Sequence, residues 1–174
     1  MKNSSRIVEC HINQKKEVGG MTKHRYSLKI FTLKVREEES PLPQNPIQSS
    51  EHAKQYLQSY FIEERDDRER MIALCLSAKY RVQGIAKISE GASNMVIVDS
   101  KVIFRTLLCM GCYSFILAHN HPSGDPTPSP EDFTITRRLR EGGQLLDLQC
   151  LDHLIFGDGT NAVYSFQDHN QFSY

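Results

Sequence analysis

The apolar residues of this chain fall into short runs whose rhythm predicts a layered domain. Tyr26–Val35, Y-S-L-K-I-F-T-L-K-V, alternates enough to read as a strand. Met71–Ser77 is a continuous apolar strand, and Tyr80-Arg81 turns it into a second one, Val82–Ile88. Tyr113–Ala118, Y-S-F-I-L-A, reads as a short buried strand. Two more, near Leu151–Phe156 and Ala162–Phe166, flank a turn at Gly157-Asp158-Gly159.

Helical spacing appears between these strands. Ser49-Ser50 caps a helix through Phe61 that carries Ala53, Tyr56, Leu57 and Tyr60 on one side. Asp99-Ser100 caps Lys101–Met110, which ends at Gly111. A third helix runs from Pro130 to about Glu141 and is stopped by Gly142-Gly143. Strands and helices interleave, which predicts a layered α/β domain without internal repeats.

The two ends of the chain differ. Residues 1–24 are polar, Lys-rich and broken by Gly19-Gly20, and they read as a disordered tail, with Met21 an alternative start. Residues 25–48 supply the first strand and a linker marked by Pro41, Pro43 and Pro46. Residues 49–174 form the domain. A length of 174 residues suits one domain with tails.

Charge and composition narrow the function classes. The net charge is zero, so the whole chain offers no electrostatic case for nucleic acid or an anionic membrane. Nine basic residues between Lys2 and Arg36 face only Glu9 and Glu17, which reads first as a solvated basic tail, with a weak DNA association through it as the alternative. No apolar stretch approaches the roughly 20 residues of a membrane span, and the N-terminus lacks a signal peptide's apolar core. A cytoplasmic location is the expectation. Five cysteines, mostly inside apolar runs, fit reduced core thiols. Cys109-Met-Gly-Cys112 has C-x-x-C spacing without a second such pair, and it reads as thiols buried at a helix end.

The chemistry concentrates in His119-Asn-His-Pro-Ser-Gly-Asp-Pro-Thr-Pro-Ser-Pro-Glu-Asp132. Histidines two apart on an extended segment point to the same side. His119 and His121 therefore suit one metal ion at about 2.0–2.1 Å each. Asp132 falls in the first turn of the next helix, with Ser129 as its N-cap, and four prolines stiffen the loop that folds this turn back. Two histidines and one carboxylate leave a fourth tetrahedral position for water, as in a catalytic zinc site. A structural site made of Cys109, Cys112 and the histidines is disfavoured, because the apolar strand between them carries the cysteines away. Asn120 and Ser123 read as braces of the loop. His153 is either a residue behind the ligands or a packed core histidine.

The run L-A-H-N-H-P-S-G-D-P-T-P-S-P-E-D, followed by T-R-R-L and L-D-H-L-I-F-G-D-G, resembles the bacterial RadC family of JAMM/MPN zinc proteins. The resemblance spans roughly Ser49–Phe166. It implies a single MPN/JAMM domain of the cytidine-deaminase-like kind, a mixed β-sheet flanked by helices. The family's pattern of His-x-His, seven residues, Ser, two residues and Asp falls on His119, His121, Ser129 and Asp132. An upstream Glu precedes an apolar strand in relatives, and Glu69 fits, whereas Glu63 and Glu64 lie too early and Glu90 follows the wrong strand. The chain departs from the family in its N-terminal region, a basic tail in place of a helix–hairpin–helix unit, and in Gly91-Ala92 where Gly-Thr is usual.

The resemblance implies a Zn2+-dependent hydrolase of a peptide or isopeptide bond in a protein or peptide partner. Glu69 would move the proton and Ser129 would donate to the developing oxyanion. The alternatives are a non-catalytic MPN-type binding module associated with DNA repair and, more distantly, a metal-dependent nuclease.

Overall fold

In the computed structural model, which describes residues 4–13, 30–39, 45–63, 68–91 and 99–171, the apolar run Glu69–Leu76 (β3) lies between two antiparallel neighbours. One is Val82–Gly91 (β4) and the other Ser114–His121 (β5). Gln149–Gly157 (β6) then pairs parallel to β5, and the short Val163–Ser165 (β7) closes the edge antiparallel to β6. The order is β4-β3-β5-β6-β7, a mixed five-stranded sheet in an α/β domain. A parallel pair needs a crossover, and Pro130–Leu145 (α3) provides it between β5 and β6.

Alternation along the strands sorts side chains onto two faces. Met71, Ala73 and Cys75 of β3, with Phe115 and Leu117 of β5, meet Ile103 and Leu107 of Ser100–Cys109 (α2) and Leu139 of α3. Ile72, Leu74 and Leu76, with Ile116 and Ala118, meet Ala53, Leu57 and Phe61 of Ser50–Glu63 (α1) on the opposite face. Both faces of β3 and β5 are covered, which is why these strands read as unbroken apolar runs. Continuing the alternation, His119 and His121 fall on the α3 side and Asn120 on the α1 side.

Three expectations are corrected. The tail expected to be disordered contains a strand, Ser4–Asn13 (β1), paired antiparallel with Ile30–Glu39 (β2). The register places Val8 opposite Val35, Cys10 opposite Leu33 and Ile12 opposite Phe31, with Arg6 opposite Glu37 and Glu9 opposite Lys34. The partner strand is distant in sequence, so a reading of net composition overlooks the pairing. The rest of the expected tail, residues 1–3 and 14–24, and the start of the expected strand, residues 26–29, lie outside the described residues, as do Pro41 and Pro43.

The third helix does not stop at Gly142-Gly143 but continues to Leu145. A Cβ at Gly142 would sit 2.7 Å from the Phe104 ring, and one at Gly143 would sit 2.3 Å from the Leu148 carbonyl oxygen. These glycines admit close neighbours; the chain turns later, at Asp147, whose φ is 50°. Finally, Cys109 and Cys112 are free thiols as expected but only partly buried, Cys112 packing against the edge of the core, and they lie at the far end of β5 from the histidines. The described residues contain no helix long and apolar enough to cross a membrane.

Candidate metal centre

Strand β5 delivers His119 and His121 to its C-terminal end, and α3 begins directly beside them. His119 Nε2 lies 3.0 Å from His121 Nε2 and 3.2 Å from Asp132 Oδ1, and His121 Nε2 lies 3.6 Å from Asp132 Oδ2. The three candidate ligand atoms fall within 4.8 Å of one another. Tetrahedral bonds of about 2.0–2.1 Å would separate ligand atoms by about 3.3 Å, close to the 3.0 Å between the two imidazole nitrogens and the 3.2 Å from His119 to Asp132 Oδ1, while His121 faces the other carboxylate oxygen.

The donor set also fits a cation chemically. His121 Nδ1 donates to the Asp125 carbonyl at 2.8 Å, which leaves the Nε2 lone pair of the neutral ring facing His119 and Asp132. Two imidazole nitrogens and a carboxylate converging this closely attract a positive ion, and the residues present suit zinc.

Local sequence explains how Asp132 is held. Ser129 caps α3, accepting from the Asp132 backbone N–H at 3.2 Å. In return Asp132 Oδ2 accepts from the Ser129 backbone N–H at 2.7 Å and from its hydroxyl at 2.6 Å. This is a capping box in which an aspartate replaces the usual glutamate. One carboxylate oxygen is anchored to the cap and the other is turned to His119.

Glu69 joins from strand pairing. Met71, opposite His119, is the last β3 residue paired with β5; Glu69, two residues before it, lies near enough to His121 and Asp132 for their charges to act on its carboxyl. The pleat puts Glu69, Met71, His119 and His121 on one face. Asn120, on the other face, ties this end together. Its Oδ1 accepts from Arg70 N at 2.8 Å, while its Nδ2 donates to Arg68 O at 3.0 Å and to Asp158 Oδ2 at 2.7 Å. Asn120 thus braces β3 and the Asp158 turn. Ser123 also acts within the loop, accepting from Asp125 N at 3.3 Å.

A family model described as "RadC-like JAB domain" matches residues 47–171. The chain belongs to this family. Its curated relatives include UPF0758 proteins of Roseiflexus castenholzii, 46% identical over 93 residues (53% of this chain, 40% of that protein). The UPF0758 protein of Desulfitobacterium hafniense is 48% identical over 92 residues, covering 53% of this chain and 40% of that protein. A longer match, to the UPF0758 protein of Trichlorobacter lovleyi, is 34% identical over 167 residues, 94% of this chain and 71% of that protein. Against the first two relatives the chain spans 40% of their length.

Electrostatics in this RadC-like JAB domain follow from burial around one carboxylate. Burial pulls the His119 pKa down to about 4, against the pull of Asp132. Burial also works to lower His121, but the neighbouring Asp132 carboxylate and the hydrogen bond to the Asp125 carbonyl prevail and raise it. Asp132 is opposed by burial yet held well below the usual carboxylate range by His121, His119 and the Ser129 cap. Burial pushes the Glu69 carboxyl up, with His121 pulling it back and Asp132 adding to the rise. A half-buried carboxyl with a raised pKa is the character a proton carrier needs.

His153 packs in the core of the RadC-like domain and also reaches the site: its Nε2 lies 2.9 Å from His119 Nδ1. Phe166 stacks on it, with ring centroids 5.0 Å apart and planes 12° apart. The preceding residue, Asp152, is a buried anchor. It accepts from His153 N, Gln167 N and the Ser165 hydroxyl at 2.7, 3.0 and 2.7 Å. Sequence reasoning missed Thr136, whose hydroxyl lies 2.6 Å from His153 Nδ1. Its signal was helical spacing: Asp132, Thr136, Leu139 and Gly143 are the buried residues of α3, spaced along one face.

Proposed function

We propose that this chain is a zinc-dependent hydrolase of a peptide or isopeptide bond in a protein or peptide substrate. The observation that carries the reading is the convergence of His119, His121 and Asp132 at the end of β5, with Glu69 brought to the same face by the β3–β5 register. His119, His121 and Asp132 would hold the ion. Bound zinc supplies Lewis acidity, lowering the pKa of water toward roughly 7. Glu69 takes up a proton there and returns it to the leaving amine, a role served by its burial-raised pKa. Ser129 gives its one hydroxyl proton to Asp132 Oδ2 at 2.6 Å, so donation to an oxyanion requires that hydroxyl to turn away. Its first role is to orient the carboxylate.

Metal analysis joined to a mass-spectrometric screen for cleaved peptides tests the proposal. Wild type should carry about one zinc per chain and cut peptides that Glu69→Gln leaves intact. Glu69→Gln should keep metal and fold while turnover drops by roughly 10²–10⁴-fold, the usual contribution of a positioned acid–base group. A zinc content near zero in folded, metal-replete protein ends the reading. If the metal is present but Glu69→Gln acts like wild type, the domain is a binding module rather than an enzyme.

A further inference from the structure

The two buried polar side chains behind the site, Thr136 and His153, have no part in the reaction just described, and their hydrogen bonds have a direction. The Thr136 hydroxyl lies 2.5 Å from the Asp132 backbone carbonyl. A carbonyl only accepts, so the single hydroxyl proton is committed there. Toward His153 Nδ1, at 2.6 Å, Thr136 Oγ1 then has only a lone pair to offer, and Nδ1 must carry a proton. His153 is fully buried, so its ring is neutral and its Nε2 is an acceptor. That acceptor faces His119 Nδ1 at 2.9 Å, which must therefore be the protonated nitrogen of His119. The remaining lone pair of His119, on Nε2, is left pointing at Asp132 Oδ1 and His121 Nε2.

The path closes on itself. It leaves the backbone of Asp132, passes through Thr136, His153 and His119, and returns to the carboxylate of Asp132. Resting on the reading of this site as a metal centre, we infer that Thr136 and His153 are positioning residues that hold His119 in its metal-ready tautomer. With Nε2 only 3.2 Å from Asp132 Oδ1, the carboxylate is a strong acceptor for a proton on that nitrogen. In the opposite tautomer His119 would donate to Asp132, and that proton would occupy the place of the ion. The Thr136 hydroxyl, which does not face the metal position, decides between the two arrangements through His153. Fixing a ligand histidine by a partner on its other ring nitrogen generally changes metal affinity or activity by about 10–100-fold.

Thr136→Val removes the oxygen while keeping the shape, and Thr136→Ser keeps the oxygen. Zinc affinity, measured by competition with a chromophoric chelator, should fall by about 10–100-fold in Thr136→Val and stay near wild type in Thr136→Ser. Long-range proton–nitrogen NMR of the metal-stripped proteins reads the tautomer directly. Wild type should show His119 protonated on Nδ1, and Thr136→Val should move that proton to Nε2. Wild type with the proton on Nε2, or Thr136→Val binding zinc as tightly as wild type, overturns the inference. The wild-type tautomer decides it even if the valine variant fails to fold. Absence of zinc binding by wild type would instead sink the metalloenzyme reading, and the spectrum alone would then judge the relay.

Discussion

The two faces of the central sheet are built from the same strands and do different work. On the α1 face, Ile72, Leu74, Ile116, Ala118 and Leu154 pack against Ala53 and Leu57 in an apolar layer, with Asn120 the buried polar brace at its end. On the α3 face the packing begins likewise, with Ala73, Phe115 and Leu117. It then gives way toward the strand ends to His119, His153, Thr136 and Asp132, all buried. Burying polar groups costs stability unless each finds a partner. Here the partners are one another, and satisfying them turns the lone pair of His119 toward Asp132, while the Asp125 carbonyl does the same for His121. The α1 face shows how the sheet is held together. The α3 face shows what a chain can build once another layer supplies the stability.

Substitutions can break this contrast. The largest expected effect is loss of the ion: His119→Ala or Asp132→Ala should reduce zinc from about one per chain to near zero, as read by metal analysis of folded protein. Retention of zinc by both variants would mean that the three side chains do not form the centre. On the other face, Leu57→Ala should cost about 2–5 kcal/mol in denaturant unfolding yet leave zinc affinity nearly unchanged. If that cavity abolished metal binding, the division between the faces would be wrong.

Acid should act on the α3 face first. In chelator-treated protein His119 is buried neutral, with a pKa near 4 against an ordinary 6.5. Between those values the unfolded chain binds the proton and the folded one does not, so stability falls as pH drops from 6.5 toward 4. The shift corresponds to a loss on the order of 3 kcal/mol. His121, raised rather than lowered, opposes part of it, since its contribution is present in acid and lost as pH rises. Unfolding curves at several pH values across this window check the sign, and a flat profile would contradict it.

The smallest expected effect is that of the cap. Ser129→Ala should lower stability by about 0.5–2 kcal/mol. It should also weaken zinc binding, because Asp132 Oδ2 loses its 2.6 Å hydroxyl donor. A change in stability without any change in metal affinity would separate the cap from the site.

Much of this was legible along the chain, and the reasons are local. An apolar run ending in H-x-H puts two imidazoles on one side, because a strand's pleat has a period of two. Ser129 three residues before Asp132 is a capping spacing that any helix start can use. The glycine pair at 142–143 misled for the same reason: locally it reads as a stop, while its cause is the distant Phe104 ring and the Leu148 carbonyl. The strand at Ser4–Asn13 was likewise hidden, since its partner lies across the chain in β2.

What the chain alone determined, then, was the trio of candidate ligands and the elements carrying them, because pleat, helix period and capping are properties of neighbours in sequence. Tertiary structure decided which groups stand behind and beside those ligands. Antiparallel pairing set Glu69 at the His121 end, and parallel pairing of β5 with β6 put His153 against His119. Strand register depends on long-range packing of both faces, so no window of sequence holds it.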